Sequence, residues 1–352
     1  MSDTPVTICI PSNRDLAGSQ RSLDSAITYA AQRGFRVSIA DNSGDKAKAA
    51  YYASTAPHVR YLISDSEDAA SNMVVAHRDV TTEFVMPMGD DDFLVSEGSV
   101  PVFDFSQLPA DFVGVRPTHD IIARDEGVLR SFDYSIDGDK PSARVQEYAS
   151  KMSGNNTLYY SFFRRHHFDE ILVLYLQNHP TRLRDGDIAL VNSLTAAGRI
   201  AHDGSTRYGY DIGRWRTRAG INEAVLEFYQ DAGFPDSAVE FASLLHFVDS
   251  YILLFRPGFP GDEVERIKTI YAYAISFVGP FLQKVQAKPE LIVGIEPLVE
   301  ELRQATSTPD EHLENVFDAA LKIVDPLKPG LRLAYAQWLS TMLSSPGVTE
   351  AG

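Results

Sequence analysis

Phe84-Val85-Met86-Pro87-Met88-Gly89-Asp90-Asp91-Asp92-Phe93-Leu94 sets a short apolar run directly against three consecutive carboxylates. The run from Glu83 to Met88 reads as a buried strand, and the glycine and aspartates that follow read as the loop at its carboxyl end. Three adjacent like charges repel one another, so a rigid loop that holds them calls for a compensating cation. A hard divalent ion, Mn or Mg, shared between one or two carboxylates and the phosphate oxygens of a ligand would supply it. A solvated acidic turn is the plain alternative, and the surrounding sequence has to decide.

Upstream, the same pattern of apolar run, polar loop and helix recurs. Residues 5–11 form a β-branched run that ends in proline, and Ser12-Asn13-Arg14-Asp15 leads into a helix from about Gly18 to Arg33. Arg36 to Ala40 is a second strand, closed by the turn formers Asp41-Asn42-Ser43-Gly44-Asp45. His58 to Ile63 is a third strand, and a helix follows from about Ser66 to His77. Strands alternating with helices in this way imply a mostly parallel sheet, since each parallel connection needs a long crossover. Ligands of such sheets bind beyond the carboxyl ends of the strands, where the loops after Pro11, Ala40 and Met88 all fall.

Downstream the reading is less regular. Short strands at Phe112 to Arg116, Asp120 to Ala123 and Val128 to Tyr134 are expected as antiparallel additions, with helices at Asp169 to Gln177 and Asp185 to Ala197. From about Ala219 the pattern becomes a series of amphipathic helices. Two domains are expected, 1–218 for the sheet and 219–352 for a mainly helical C-terminal region.

Composition narrows the function classes. The 352 residues are 44% apolar, enough for a substantial core. Against 32 Lys and Arg stand 48 Asp and Glu, a net charge of -16 that argues against nucleic acid as a partner. An anionic ligand would then need local positive charge from a metal or from placed arginines. Cys9 is the single cysteine, which excludes an internal disulfide framework and fits a reducing cytoplasm. The N-terminus does not read as a signal peptide. Ile270 to Leu282 is too short to span a bilayer and contains Gly279-Pro280, so it reads as a core helix, with peripheral contact at the inner membrane face left open.

The first two hundred or so residues resemble the family 2 glycosyltransferases. Ile10-Pro11-Ser12-Asn13-Arg14 is similar to the first-strand motif of that family, and Ile39-Ala40-Asp41-Asn42-Ser43-Gly44-Asp45 to its second. Ala70-Ser71-Asn72 is similar to the Asn-bearing helix before the metal strand, and Gly89-Asp90-Asp91-Asp92-Phe93-Leu94 to the metal-binding acidic motif. The resemblance implies an α/β fold of the GT-A type, a Rossmann-like mostly parallel sheet flanked by helices, with a C-terminal helical region added. It implies transfer of a sugar from a nucleotide-sugar donor, UDP- or GDP-linked, to a hydroxyl acceptor. Pro11, Ser12, Asn13 and Arg14 would border the nucleotide, Asp41 would accept a hydrogen bond from its base, and Asn72, Asp90 and Asp91 would belong to the same site. Asp90 and Asp92 would hold the metal, although Gly89 stands where many members carry a further Asp, which leaves open whether Asp90 or Asp91 is the partner of Asp92.

Inverting transfer needs a group to take the acceptor proton. Arg184-Asp185-Gly186-Asp187, opening a helix, is similar to the family segment that supplies this base, which makes Asp185 the candidate and Asp187 the reserve; Arg184 replaces the usual Glu. An Asp at a helix start is also an ordinary cap. Asn155, Asn156 and Thr157, with Phe163-Arg164-Arg165, resemble the acceptor side. His202 is a further candidate metal ligand, and Arg214 and Arg216, beside Tyr208, Tyr210 and Trp215, are candidates for the diphosphate. A sugar nucleotidyltransferase, a phosphotransferase with an Asp nucleophile and a non-catalytic nucleotide-sugar-binding or assembly protein are the rivals. The C-terminal helices are candidates for a homo-oligomer contact.

Overall fold

A computed structural model of the chain describes residues 5–53, 56–66, 68–181, 186–307 and 313–344. The chain divides into two compact units, one comprising residues 1–137, 155–173 and 199–217, the other residues 138–154, 174–198 and 218–352.

The first unit is a mixed α/β structure. Its strands are β1 (Val6–Ser12), β2 (Arg36–Asp41), β3 (Val59–Ile63), β4 (Phe84–Pro87), β5 (Phe93–Ser96), β6 (Phe112–Ala123), β7 (Gly127–Phe132), β8 (Phe162–Arg164) and β9 (Arg199–Asp211). They form one sheet in the order β3-β2-β1-β4-β8-β6-β9-β5, with β7 on β6. β1 pairs in parallel with β2 and β4, β2 with β3, and β6 with β9. The short β8 is antiparallel to both β4 and β6, so β6 and β9 run in the same direction as β1 to β4. β5 and β7 are antiparallel edges. The two short strands expected between residues 112 and 123 are one continuous strand, which pairs in parallel with β9; that partner lies in a stretch too polar to read as a strand.

Helices α1 (Leu16–Arg33), α2 (Lys46–Tyr52) and α3 (Ala69–His77) follow β1, β2 and β3. Each begins at an aspartate, Asp15, Asp45 and Asp68, whose side chain accepts a hydrogen bond from the first turn. α1 ends at Gly34, left-handed at φ 68°. Its buried positions Ser19, Ser22, Leu23, Ala26, Tyr29 and Ala30 recur at helical spacing, and the last four join Val6, Ile8, Ile10, Val37, Ile39, Phe84 and Met86 in one core. β1 and β4 are almost wholly buried, as expected of central parallel strands covered on both faces.

His77, the last residue of α3, has a side chain only 6% exposed and lies 2.9 Å from Asp169 through its Nδ1. Burial works against its charged form, but Cys9 and Asp169 beside it outweigh that, and its pKa is raised to about 9. A histidine raised in this way stabilises the fold fully below its unfolded value, and the contribution disappears as pH climbs through the folded value. Urea unfolding of the protein and of His77→Gln should therefore differ by on the order of 3 kcal/mol at about pH 6 and converge near about pH 10. A difference independent of pH would show that the imidazole is not charged in the folded state.

The second unit is helical. It contains α4 (Pro141–Lys151), α6 (Asp187–Ala197), α7 (Arg218–Asp231), α8 (Ala242–Leu253), α9 (Glu263–Tyr273), α10 (Gly279–Ala287), α11 (Glu296–Ser307), α12 (Leu313–Val324) and α13 (Leu331–Ser344); the remaining helix, α5 (Arg165–Asn178), spans the division between the units. Residues 138–154 and 174–198 thus group with the C-terminal helices, unlike the single cut expected at 218. Buried polar groups account for this: Arg144 donates to the carbonyls of Thr195 and Ala196, Tyr273 to that of Asn192, and Arg256 to that of Ser193. The bonds from Arg144 satisfy carbonyls in the last turn of α6, which have no partner within the helix, and those from Tyr273 and Arg256 add a second partner to carbonyls one turn earlier.

The apolar stretch from Ile270 to Leu282 is not one regular helix. A wide π turn at Ala274–Val278 separates α9 from α10, as suits Pro280, which has no N–H to continue an α ladder. Its inner residues are buried, while Tyr271 and Ile275 are exposed. Among the described residues no helix is long and apolar enough to cross a membrane.

Candidate functional site

Four loops at the carboxyl ends of parallel strands β1, β4, β6 and β9 meet at one cleft of about 420 Å3, lined by Arg14, Asp91, Arg124, Asp125, Asp211, Trp215 and Arg216. This is the edge at which the sequence placed the ligand, and the volume suits a nucleotide-sized molecule.

Of the three consecutive aspartates, each has a different environment. Asp90 is buried and spends both oxygens on the loop after β1. Its Oδ2 accepts from Ser12 Oγ at 2.7 Å and from the backbone N–H groups of Asn13 and Arg14 at 3.1 Å each, while its Oδ1 accepts from Arg14 Nε at 3.0 Å. Asp92 is 1% exposed. Its Oδ2 accepts from the Tyr208 hydroxyl at 2.5 Å and its Oδ1 from the Asp211 N–H at 3.0 Å. Burial, with Asp91 close by, raises the Asp92 carboxyl well above the usual carboxylate range despite the bonds from Tyr208 and Asp211. Asp91 is the carboxylate turned to the cleft, its side chain 32% exposed and paired with Arg14 Nη2. Partial burial raises its pKa, Arg14 lowers it, and Asp90 and Asp211 raise it further.

Gly89 explains the departure from the longer acidic motif. A Cβ at this position would lie 2.7 Å from Asp92 Oδ2 and 3.0 Å from Asp91 Oδ1, both closer than contact distance. Only a glycine lets the two carboxylates fold back over the loop, and its N–H meets the Tyr208 hydroxyl at 3.4 Å.

The ligand set expected at Asp90, Asp92 and His202 is therefore not assembled. Asp90 and Asp92 are both engaged within the fold, Asp90 by four hydrogen bonds and Asp92 by two. His202 lies on β9, hydrogen-bonded to Thr118 Oγ1 at 3.0 Å, where burial and the Arg116 guanidinium hold its imidazole below the usual value. Among the described residues no group of three or more His, Cys, Asp or Glu side chains is arranged to hold a metal ion by itself. Asp91, Asp125 and Asp211 line the cleft; Asp125 is paired with Arg216, and Asp211 is close enough to Asp91 to raise its pKa. Asp211 accepts from Arg124 Nε and from the N–H of Gly213. Two carboxylates are a partial set, and they suit a hard divalent ion whose other ligands are phosphate oxygens.

Asp41 is likewise committed. It is 3% exposed, and it accepts from Lys48 Nζ at 3.0 Å, from the N–H of Ser43 at 3.1 Å and from the Tyr61 hydroxyl. Burial opposes its ionisation, but Tyr61, Lys48 and Ser43 together hold its pKa below the usual value. Asp41 is the counter-ion of Lys48 in this arrangement. Asn72 donates to the carbonyl of Ala40 at 2.8 Å and to Asn42 at 3.2 Å, tying α3 to the loop after β2. Pro11 is half-buried within β1.

Arg216 lines the cleft; its Nη1 donates to both oxygens of Asp125, at 2.8 and 2.9 Å, and its Nη2 to Glu126. The side chain of Arg214 and the whole of Asp185 lie outside the described residues. Asp187 opens α6, and its cap Gly186 is pressed against Tyr175, whose hydroxyl would lie 2.1 Å from any Cβ there. On the presumed acceptor side, Asn155 accepts from the N–H and hydroxyl of Thr157 in a tight turn. Arg164 and Arg165 donate to backbone carbonyls of Phe112, Leu108 and Thr82.

Arg124, Asp125 and Asp211 were not singled out from the sequence. The charged turn Arg124-Asp125-Glu126 between two strands was a usable signal; Asp211 had none, because only the return of β9 beside Asp92 brings it to the cleft.

No protein-family model matches the chain, and no curated protein matches it in sequence. Solved structures similar in shape include S. aureus TarS 1-349, at 11% identity and a TM-score of 0.41 over 92% of each chain. The same fragment in complex with UDP-GlcNAc gives 13% identity and a TM-score of 0.39 over 92% of each chain. Against a longer S. aureus TarS structure the identity is 13% and the TM-score 0.39, and the match covers 90% of this chain and 55% of that one. Superpositions of this quality assign neither a ligand nor a reaction.

Proposed function

We propose that this chain is a glycosyltransferase that moves a sugar from a UDP- or GDP-sugar to a hydroxyl acceptor, with Mn or Mg shared between Asp91, Asp211 and the donor diphosphate. The observation that carries this reading is the cleft at the carboxyl edge of β1, β4, β6 and β9, where Asp91 and Asp211 stand among Arg14, Arg124 and Arg216. Three guanidinium groups there pair with five carboxylates, Asp90, Asp91, Asp125, Glu126 and Asp211, so the cleft is already short of positive charge. A bound diphosphate adds further negative charge beside buried Asp90, which favours recruitment of a cation with the ligand.

The chemistry is a displacement at the anomeric carbon. The acceptor oxygen bonds to that carbon, the bond from carbon to the diphosphate oxygen breaks, and the acceptor proton passes to a base, assigned to Asp185 with Asp187 in reserve. Arg14 and Arg124 are suited to turn from Asp91 and Asp211 to phosphate oxygens, which their planar donors match. A divalent ion, when bound, would neutralise the charge that develops on the departing nucleoside diphosphate.

A thermal-shift panel of UDP-, GDP-, CMP- and TDP-sugars with and without Mn tests the reading. Metal-dependent stabilisation by a UDP- or GDP-sugar is expected, about 2.7 kcal/mol at 100 times Kd, which shows as a rise of a few degrees in Tm. Binding without turnover toward any hydroxyl acceptor would favour a non-catalytic module, and no shift with any donor would end the reading.

A further inference from the structure

Lys48 lies on α2, away from the three aspartates in sequence, and its side chain is 0% exposed. An ammonium carries three protons, and this one spends all of them: on Ser12 Oγ at 2.6 Å, on the carbonyl of Arg14 at 2.8 Å and on Asp41 Oδ1 at 3.0 Å. One of those acceptors ends β1, one lies in the loop that follows, and the third ends β2. Burying an ammonium is costly, and an apolar residue would fill the same space, so its presence points to orientation rather than packing.

The direction of the bonds follows from the donors. Because Ser12 Oγ accepts from Lys48, its own proton goes to Asp90 Oδ2 at 2.7 Å. Asp90 then takes the N–H groups of Asn13 and Arg14 and the Nε of Arg14, which leaves Arg14 Nη2 for Asp91. The chain Lys48 to Ser12 to Asp90 to Arg14 to Asp91 thus begins in the interior and ends in the cleft. Tyr61 holds the far side of Asp41 and keeps the start of the chain in place.

We propose that Lys48 is a positioning residue, which holds the 12–14 loop on Asp90 and so aims the Arg14 guanidinium at Asp91 and at the phosphate of a bound nucleotide. The loop-anchoring part stands on this geometry alone; the link to a nucleotide rests on the function proposed above.

The test uses the full chain as Lys48→Met, Ser12→Ala and the double variant, with two readouts. Hydrogen exchange at the Asn13 and Arg14 amides should quicken at least tenfold in each single variant, while amides within β1 keep their protection. Affinity for UDP and GDP in the presence of Mn should fall about tenfold in each, and the double variant should be no worse than the poorer single one, as expected for two links of one chain. Ser12→Ala alone carries the test should Lys48→Met not fold. Wild-type exchange at both amides, or additive losses of affinity, overturns the proposal. If the amides loosen but the wild-type protein binds neither nucleotide, the anchor stands and the nucleotide reading fails.

Discussion

Asp91→Asn should weaken Mn-assisted binding of a nucleoside diphosphate by about two orders of magnitude, and Asp92→Asn by less than about threefold, the opposite of what the acidic motif alone suggests. Asp91 is the carboxylate that reaches the cleft, and its negative charge is what a divalent ion would share with Asp211. Asparagine keeps its shape and removes that charge. Asp92 already sits in an environment that raises its pKa strongly. An asparagine there retains an oxygen for the Asp211 N–H, so it should disturb the loop only through the lost acceptor for Tyr208. Isothermal titration with UDP and GDP, with and without Mn, measures both. Equal losses in the two variants would mean that Asp92 swings out to the ion on binding; an unaffected Asp91→Asn would remove the metal from this cleft.

The second large effect concerns proton transfer. Asp185→Asn should lower sugar transfer by about 10²- to 10⁴-fold, the range ascribed to a general base, with nucleotide affinity unchanged. Asp187→Asn is the informative control. Asp187 occupies the first turn of α6, where a carboxylate is favoured by the exposed N–H groups of the helix start. Its loss should register in thermal stability and little in turnover. Should Asp187→Asn stop transfer and Asp185→Asn leave it intact, the base is the reserve residue. Loss of nucleotide affinity in Asp185→Asn would assign that residue to donor binding instead.

The strands of the first unit up to Met88, with α1 and α3, follow the pattern of apolar runs, aspartate caps and turn formers closely, because those signals act over a few residues; the short α2 was not among the expected helices. α1, capped by Asp15 and stopped at Gly34, is an example. β9 escaped notice because Arg199–Asp211 is rich in charge and hydroxyl groups. Its polar side chains are tolerated because they bond within the sheet unit: Asp203 to Ser205 and Thr206, and Arg207 to Asp120. Similarly, α4 and α6 carry nothing in their own sequence that separates them from the sheet. Their partners, α8 and α9, lie much later in the chain.

What the sequence determined by itself was the parallel α/β layout, the edge at which a ligand would sit, and the presence of carboxylates after β4. Local periodicity and turn chemistry suffice for that. How far each of those carboxylates is engaged by other groups was decided only by tertiary structure. Asp90 is consumed by a loop 76 to 78 residues earlier, and Asp92 by groups 116 and 119 residues later. A carboxylate has few lone pairs, and whether they are open to a ligand depends on the groups that folding brings within about 3 Å.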